Sequence, residues 1–254
     1  MTPEEMRPDE AAIDALVRKT VRAPARLEPA DLDPLVALLG VGGALEVVAM
    51  LGGFHFITRI ADLVGIESDL PIIQRRLRRL RMIGVRIQAM IFRRMLDLEN
   101  APVEVDVDAA LAETARLRGE ALPAGYAAMR EAPNVAGWVH RPTAELPTLE
   151  PEMLARVTAG VAAALPASEA EATGFHALPV DPLDALVFVA TRYAARTTDE
   201  MVDAVRASRG WGDAELTDCF FAIGYRNAIE RVDRLLATLP AANTRAKTRG
   251  DGLL

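Results

Sequence analysis

The sequence predicts an all-α fold organised around an internal duplication with a pseudo-twofold. Three observations carry this. Apolar residues recur at helical spacing along most of the 254 residues, aromatics are only 5% with few alternating β-branched runs, and a segment near the N-terminus returns near the C-terminus. Helices are expected, in order, at Pro8–Val21, Asp31–Leu39, Ala44–Leu63, Leu70–Leu98, Val107–Arg118, Glu150–Leu165, Asp181–Arg196, Asp199–Arg209 and Asp213–Thr238. Asp181 before Pro182 marks a helix start, and Thr198 and Asp213 supply N-cap side chains for the two helices after it. Gly40, Gly42 and Gly43 predict a turn between the second and third helices. From Gly119 to Pro147, prolines and glycines interrupt any long period, so a loop-rich connector with short helices is expected there. The polar stretch Thr244–Leu254 reads as a mobile tail.

Composition narrows the function. Lys and Arg number 29 against 36 Asp and Glu, a net charge of −7, which disfavours nucleic acid as a partner. With 51% hydrophobic residues the chain can repay the cost of ordering, and its length permits burial of roughly 70–75% of the unfolded surface. The single cysteine, Cys219, cannot form an internal disulfide and fits a reducing compartment. Acidic residues stand where a secretory signal would be basic. Glu46 interrupts the most apolar window, Leu35–Phe54, so a buried helix pair is expected rather than a membrane span. These features point to a cytoplasmic protein without a membrane partner.

The repeat is specific. Ile13-Asp-Ala-Leu-Val17 returns as Leu183-Asp-Ala-Leu-Val187, and the same displacement of 170 pairs Arg22 with Arg192, Ala25 with Ala195, Arg26 with Arg196, Asp33 with Asp203 and Gly40 with Gly210. Two residues are then inserted, and a displacement of 172 pairs Gly52 with Gly224, Ile57 with Ile229, Arg59 with Arg231 and Leu63 with Leu235. The expected organisation is a first half-module at 1–66, an Arg-rich helix and connector at 67–179, a second half-module at 180–240 and a tail at 241–254, all in one domain. Two such copies pack naturally by covering each other's apolar faces.

Each copy reads as a helix with an Asp-Ala-Leu-Val core, a short helix ending at glycine, and a long apolar helix with a central glycine and a late arginine. This resembles the C-terminal half of the carboxymuconolactone decarboxylase and alkylhydroperoxidase (AhpD-like) superfamily, and the resemblance covers the two copies but not the middle of the chain. It implies an all-helical homo-oligomer. Peroxidase members carry a Cys-x-x-Cys pair with nearby Glu and His, and this chain has no such pair. Cys219 matches neither family thiol, and its apolar neighbours Phe220, Phe221 and Ile223 favour an inert buried thiol.

The remaining candidates are few. His55, Arg59 and Asp62 fall on one helical stripe that could clamp a carboxylated ligand with Arg59 and move protons with His55, or could form an ion-pair ladder between the copies. Trp138, His140 and Arg141 lie in one segment expected to be irregular, and His176 follows Gly174 and Phe175 in another. Either could line a pocket or be an ordinary anchored loop. Eight arginines between Arg75 and Arg94 form one face of the predicted Leu70–Leu98 helix, either binding an anion or pairing internally. The histidines lack metal-ligand spacing, so no metal and no cofactor are expected. The favoured activity is thiol-independent acid/base chemistry (decarboxylation, isomerisation or cyclisation) on a small, possibly anionic organic molecule. His55, His140 or His176 would act as acid or base, and Arg59, Arg141 and Trp138 would hold the substrate. The alternatives are an oligomeric scaffold or small-molecule-binding protein, and a single-cysteine peroxidase.

Overall fold

The computed structural model describes residues 6–64, 105–144 (side chains to 140), 150–174 and 176–237. The expected Arg-rich helix Leu70–Leu98 and the tail lie outside these residues. Among the described residues the chain is all-α, with no strand. The α-helices are α1 (Pro8–Arg22), α2 (Asp33–Val64), α3 (Val107–Arg118), α4 (Pro133–Ala144), α5 (Pro151–Ala164), α6 (Glu169–Thr173), α7 (Pro182–Arg192), α8 (Asp199–Arg209) and α9 (Asp213–Leu235). Short 3-10 turns occupy 24–26, 29–32, 124–131 and 194–196.

Local chemistry sets these boundaries. Asp106 accepts from the Ala109 N–H to start α3, and Asp181 accepts from the Leu183 and Asp184 N–H groups to start α7. At α9 the cap differs from expectation: Asp213 is already helical, and the Glu215 carboxylate accepts from the Gly212 N–H. Thr198 precedes α8 without a side-chain cap bond. As anticipated, helical geometry is interrupted at Gly40 (φ 75°, ψ 174°), so α2 is two helical segments meeting at a kink, while the anticipated helix Asp181–Arg196 breaks at Tyr193 (φ −136°, ψ 46°). The connector is more regular than its prolines suggested. Trp138 and His140 lie on the twelve-residue helix α4, because Pro133 starts it, Pro142 falls in its last turn, and Val135, Ala136 and Val139 gain burial.

Helices α2 and α9 lie along each other at the centre. Helix α5 packs on α9 and α7, α8 on α7, α1 on α2, and α3 on α4. From Leu216 to Leu235, α9 is buried on nearly every side, as suits a central helix. Helix α2 is two-faced: Leu45, Val48, Gly52 and Leu63 are buried, while Met50, Phe54, Ile57 and Val64 are exposed. The stretch Pro29–Val64 is the one helix among the described residues long and apolar enough to cross a membrane, with 28% of its most apolar window buried.

The backbone follows the sequence repeat closely. Helices α1 and α7 end at the paired Arg22 and Arg192, and the 3-10 turns 24–26 and 194–196 occupy equivalent places in the two copies. Ala23 (φ −145°, ψ 51°) pairs with Tyr193 (φ −136°, ψ 46°), and Leu27 (φ −65°, ψ 135°) with Thr197 (φ −66°, ψ 132°). Gly40 and Gly210 both take positive φ, 75° and 68°, where a side chain would be strained. The paths then part. At Gly40 ψ is 174° and α2 continues at once; at Gly210 ψ is 26°, and Trp211 and Gly212 intervene before α9. Those two residues account for the change of displacement from 170 to 172.

Candidate ligand pocket

A cavity of about 210 Å³ opens where the loop after α6 meets α7 and α8. Its apolar floor is Leu178, Val189 and Met201, and its polar side is His176, Tyr193 and Arg196. The break at Tyr193 turns the chain so that α7 contributes Val189, the 3-10 turn Arg196, and α8 Met201. Gly174 forms the back wall. A β-carbon there would stand 2.8 Å from the Ala170 carbonyl oxygen, so only glycine lets the loop approach. The Tyr193 hydroxyl donates to the Gly174 carbonyl at 2.5 Å and fixes loop against helix.

Arg192 orients the imidazole. Its Nε donates to the Ala164 carbonyl at 2.7 Å, and its Nη1 reaches the Glu171 carbonyl and His176 Nε2, each at 2.9 Å. Nε2 also stands 3.0 Å from that Glu171 carbonyl. A guanidinium only donates, so the Glu171 oxygen and His176 Nε2 both accept from Arg192, and the neutral ring carries its proton on Nδ1. Phe188 supports both groups, edge-on to His176 with ring centres 6.0 Å apart and beneath the Arg192 guanidinium at 5.1 Å. Arg196 stacks over Tyr193 at 5.2 Å, is exposed, and has no carboxylate partner among the described residues.

Lys19 and Asp31, which the repeat aligns with Val189 and Met201, form an ion pair at 2.7 Å. Where one copy carries two paired charges, the aligned positions of the other line a cavity with two apolar side chains.

The other candidates lie away from this cavity. His55 is 7% exposed at the α2–α9 contact; burial, then the nearby Arg231 and Arg59 charges, push its pKa down to about 2. Its neutral form is the one favoured there. Arg59 Nη2 donates to the Thr191 carbonyl at 3.3 Å, at the end of α7, while Arg231 Nε donates to the Thr20 carbonyl at 3.0 Å, near the end of α1. Each long helix thus latches the first helix of the other half. Arg231 Nη1 also donates to the Asn227 carbonyl, and Asn227 Nδ2 to Thr191 Oγ1 at 3.1 Å. Burial lowers the pKa of both arginines, Arg231 to about 9.

His140 sits at the α3–α4 contact with Nδ1 3.3 Å from Thr114 Oγ1, whose own proton goes to the Ala110 carbonyl. Trp138 is 46% exposed and lies beside Gly53 of α2. The Arg141 side chain lies outside the described residues. The structure gathers His55 with Arg59 but leaves His140 and His176 at separate places. Cys219 is fully buried, and burial raises its thiol to about 12. A further buried cluster joins Arg118 to Asp233 at 2.5 Å and Glu120 at 2.7 Å, with the Tyr126 hydroxyl on Asp233 at 2.6 Å. No group of three or more metal-ligating side chains occurs among the described residues.

Sequence reasoning named His176 but missed Arg192, Arg196, Val189 and Met201. The signal was present as a failure of the repeat: Lys19 and Asp31 change to Val189 and Met201, while Arg22 and Arg26 persist as Arg192 and Arg196. Comparison with protein-family models, curated proteins and solved structures finds no match.

Proposed function

We propose that this chain is an AhpD-like protein without thiol chemistry, in which the pocket beside His176 takes a small organic molecule for acid/base conversion such as decarboxylation, isomerisation or cyclisation. The observation that carries this reading is the His176 ring, held by Arg192 at the edge of a cavity lined by Val189 and Met201, where the aligned residues Lys19 and Asp31 form an ion pair instead. In this arrangement Nδ1–H is the ring nitrogen free to donate toward a substrate oxygen on which negative charge develops. The matching turns of the two copies support an internal repeat, and the buried Cys219 supports a role without thiol chemistry.

The same Arg192 contact favours a second reading. It occupies the Nε2 lone pair and so withholds the ring's base, as suits a small-molecule-binding protein that polarises its ligand without converting it. The exposed Met50, Phe54 and Ile57 of α2 offer an apolar face for self-association, which supports a homo-oligomer.

A thermal-shift screen of small carboxylates, ketones and aromatics on wild type and on His176→Ala and His140→Ala tests the pocket. A ligand whose stabilisation is lost only with His176→Ala is expected. Mass spectrometry of that ligand after incubation then separates conversion from binding. Equal stabilisation of all three proteins would remove His176 from the site.

A further inference from the structure

We infer that the pocket selects a monocarboxylate with an uncharged, apolar body. This rests on reading the cavity as a ligand site and adds the chemical class it takes. The lining decides the charge. Arg192 stands behind His176, bonded to the Ala164 and Glu171 carbonyls, and does not line the cavity; Arg196 does, with no carboxylate partner among the described residues. Its guanidinium, steadied on the Tyr193 ring, offers the planar donor fork that matches one carboxylate.

The floor decides the body. Leu178, Val189 and Met201 give a second ligand charge no partner, so a second carboxylate gains nothing on that wall while an apolar body gains contact. The first half shows the contrast, since its Lys19–Asp31 pair presents both signs of charge at the equivalent positions. A volume of 210 Å³ is about seven waters of liquid, which fits a short aliphatic chain or a single ring. His176 Nδ1–H adds one donor for a carbonyl or hydroxyl on that body.

The test uses the full chain and three probes measured by calorimetry: hexanoate, hexan-1-ol and adipate. Hexanoate is expected to bind about tenfold more tightly than hexan-1-ol or adipate, in line with one charge-assisted contact. Arg196→Gln, an exposed change that leaves the core intact, should remove that advantage while hexan-1-ol binds as before. The double variant Val189→Lys/Met201→Asp should refill the cavity with the first half's ion pair and abolish binding of all three probes, with the helical circular dichroism retained. If hexan-1-ol matches hexanoate, or adipate exceeds it, the monocarboxylate assignment is overturned while the pocket stands. If none of the three binds, or hexanoate binds the double variant as it binds wild type, the ligand-site reading falls with it.

Discussion

Gly224 of α9 packs so closely on Ile60 of α2 that an added β-carbon would stand 2.9 Å from Ile60 Cγ1. The contact is reciprocal: Gly52 of α2 faces Val232 of α9, where its β-carbon would come within 3.0 Å of Val232 Cγ2. Ile60 and Val232 are themselves equivalent positions of the repeat, so each half offers its glycine to the same position of the other. The two close contacts therefore join positions that the sequence repeat pairs.

Gly224→Ala should therefore destabilise more than Gly52→Ala. At Gly224 the new methyl also meets the Phe56 carbonyl oxygen at 3.2 Å, a backbone atom with little room to move, whereas Val232 can shift its side chain. Crowding costs of about 1–3 kcal/mol, offset by up to about 1 kcal/mol of helix propensity, set the scale. Urea denaturation of both variants measures the order, and equal midpoints would contradict it.

Acid should weaken the fold through His55. Its pKa falls from the ordinary 6.5 to about 2 on folding, so the unfolded chain binds the extra proton and stability present above pH 6.5 is lost as pH falls toward 2. Between pH 7 and 5 this amounts to roughly 2 kcal/mol. His55→Asn, which copies the residue at 227, should flatten that part of the profile. A wild-type-to-variant difference that does not change with pH would show that the ring is not buried neutral.

Cys219 should ignore alkylating reagents in the native protein. A thiol held at about 12 and fully buried offers almost no thiolate at pH 8. Iodoacetamide is expected to label it at the rate of global unfolding, and guanidinium should make labelling fast. Rapid native labelling, or sulfenate formation with hydroperoxide, would restore the peroxidase reading.

Asp233→Asn should cost about 3 kcal/mol. The Arg118 side chain is 2% exposed, and the change removes the carboxylate that compensates its buried charge, leaving only the half-exposed Glu120. Thermal unfolding of Asp233→Asn beside Glu120→Gln measures the contrast, with the second variant expected to be the milder because its carboxylate meets more solvent.

Much of the helical layout was legible because periodicity and caps act locally. Val107–Arg118 and Asp199–Arg209 form at their expected limits, where Asp106 and the glycines at 119 and 210 act within a turn of the boundary. The connector was misread for the opposite reason. Whether Pro142 ends a helix depends on what Val135, Ala136 and Val139 gain from the core, and that gain comes from residues distant in sequence. The pocket was only partly legible. His176 stood out as one of three histidines, yet its meaning depends on Arg192 and on a cavity formed when α7 and α8 diverge after Tyr193. His55 drew attention through its spacing from Arg59, but spacing cannot show that the stripe faces α9 rather than solvent.

The paired latches also bear on how the chain reaches this state. Arg231 must find Thr20 and Arg59 must find Thr191, each far along the chain, so neither long helix completes its bonds within its own half. Because α9 follows every other described helix along the chain, α1 and α2 emerge from the ribosome with their apolar faces uncovered and must wait for the final segment. Folding should accordingly be slow, and two fragments divided between the halves should assemble on mixing, neither holding its shape alone.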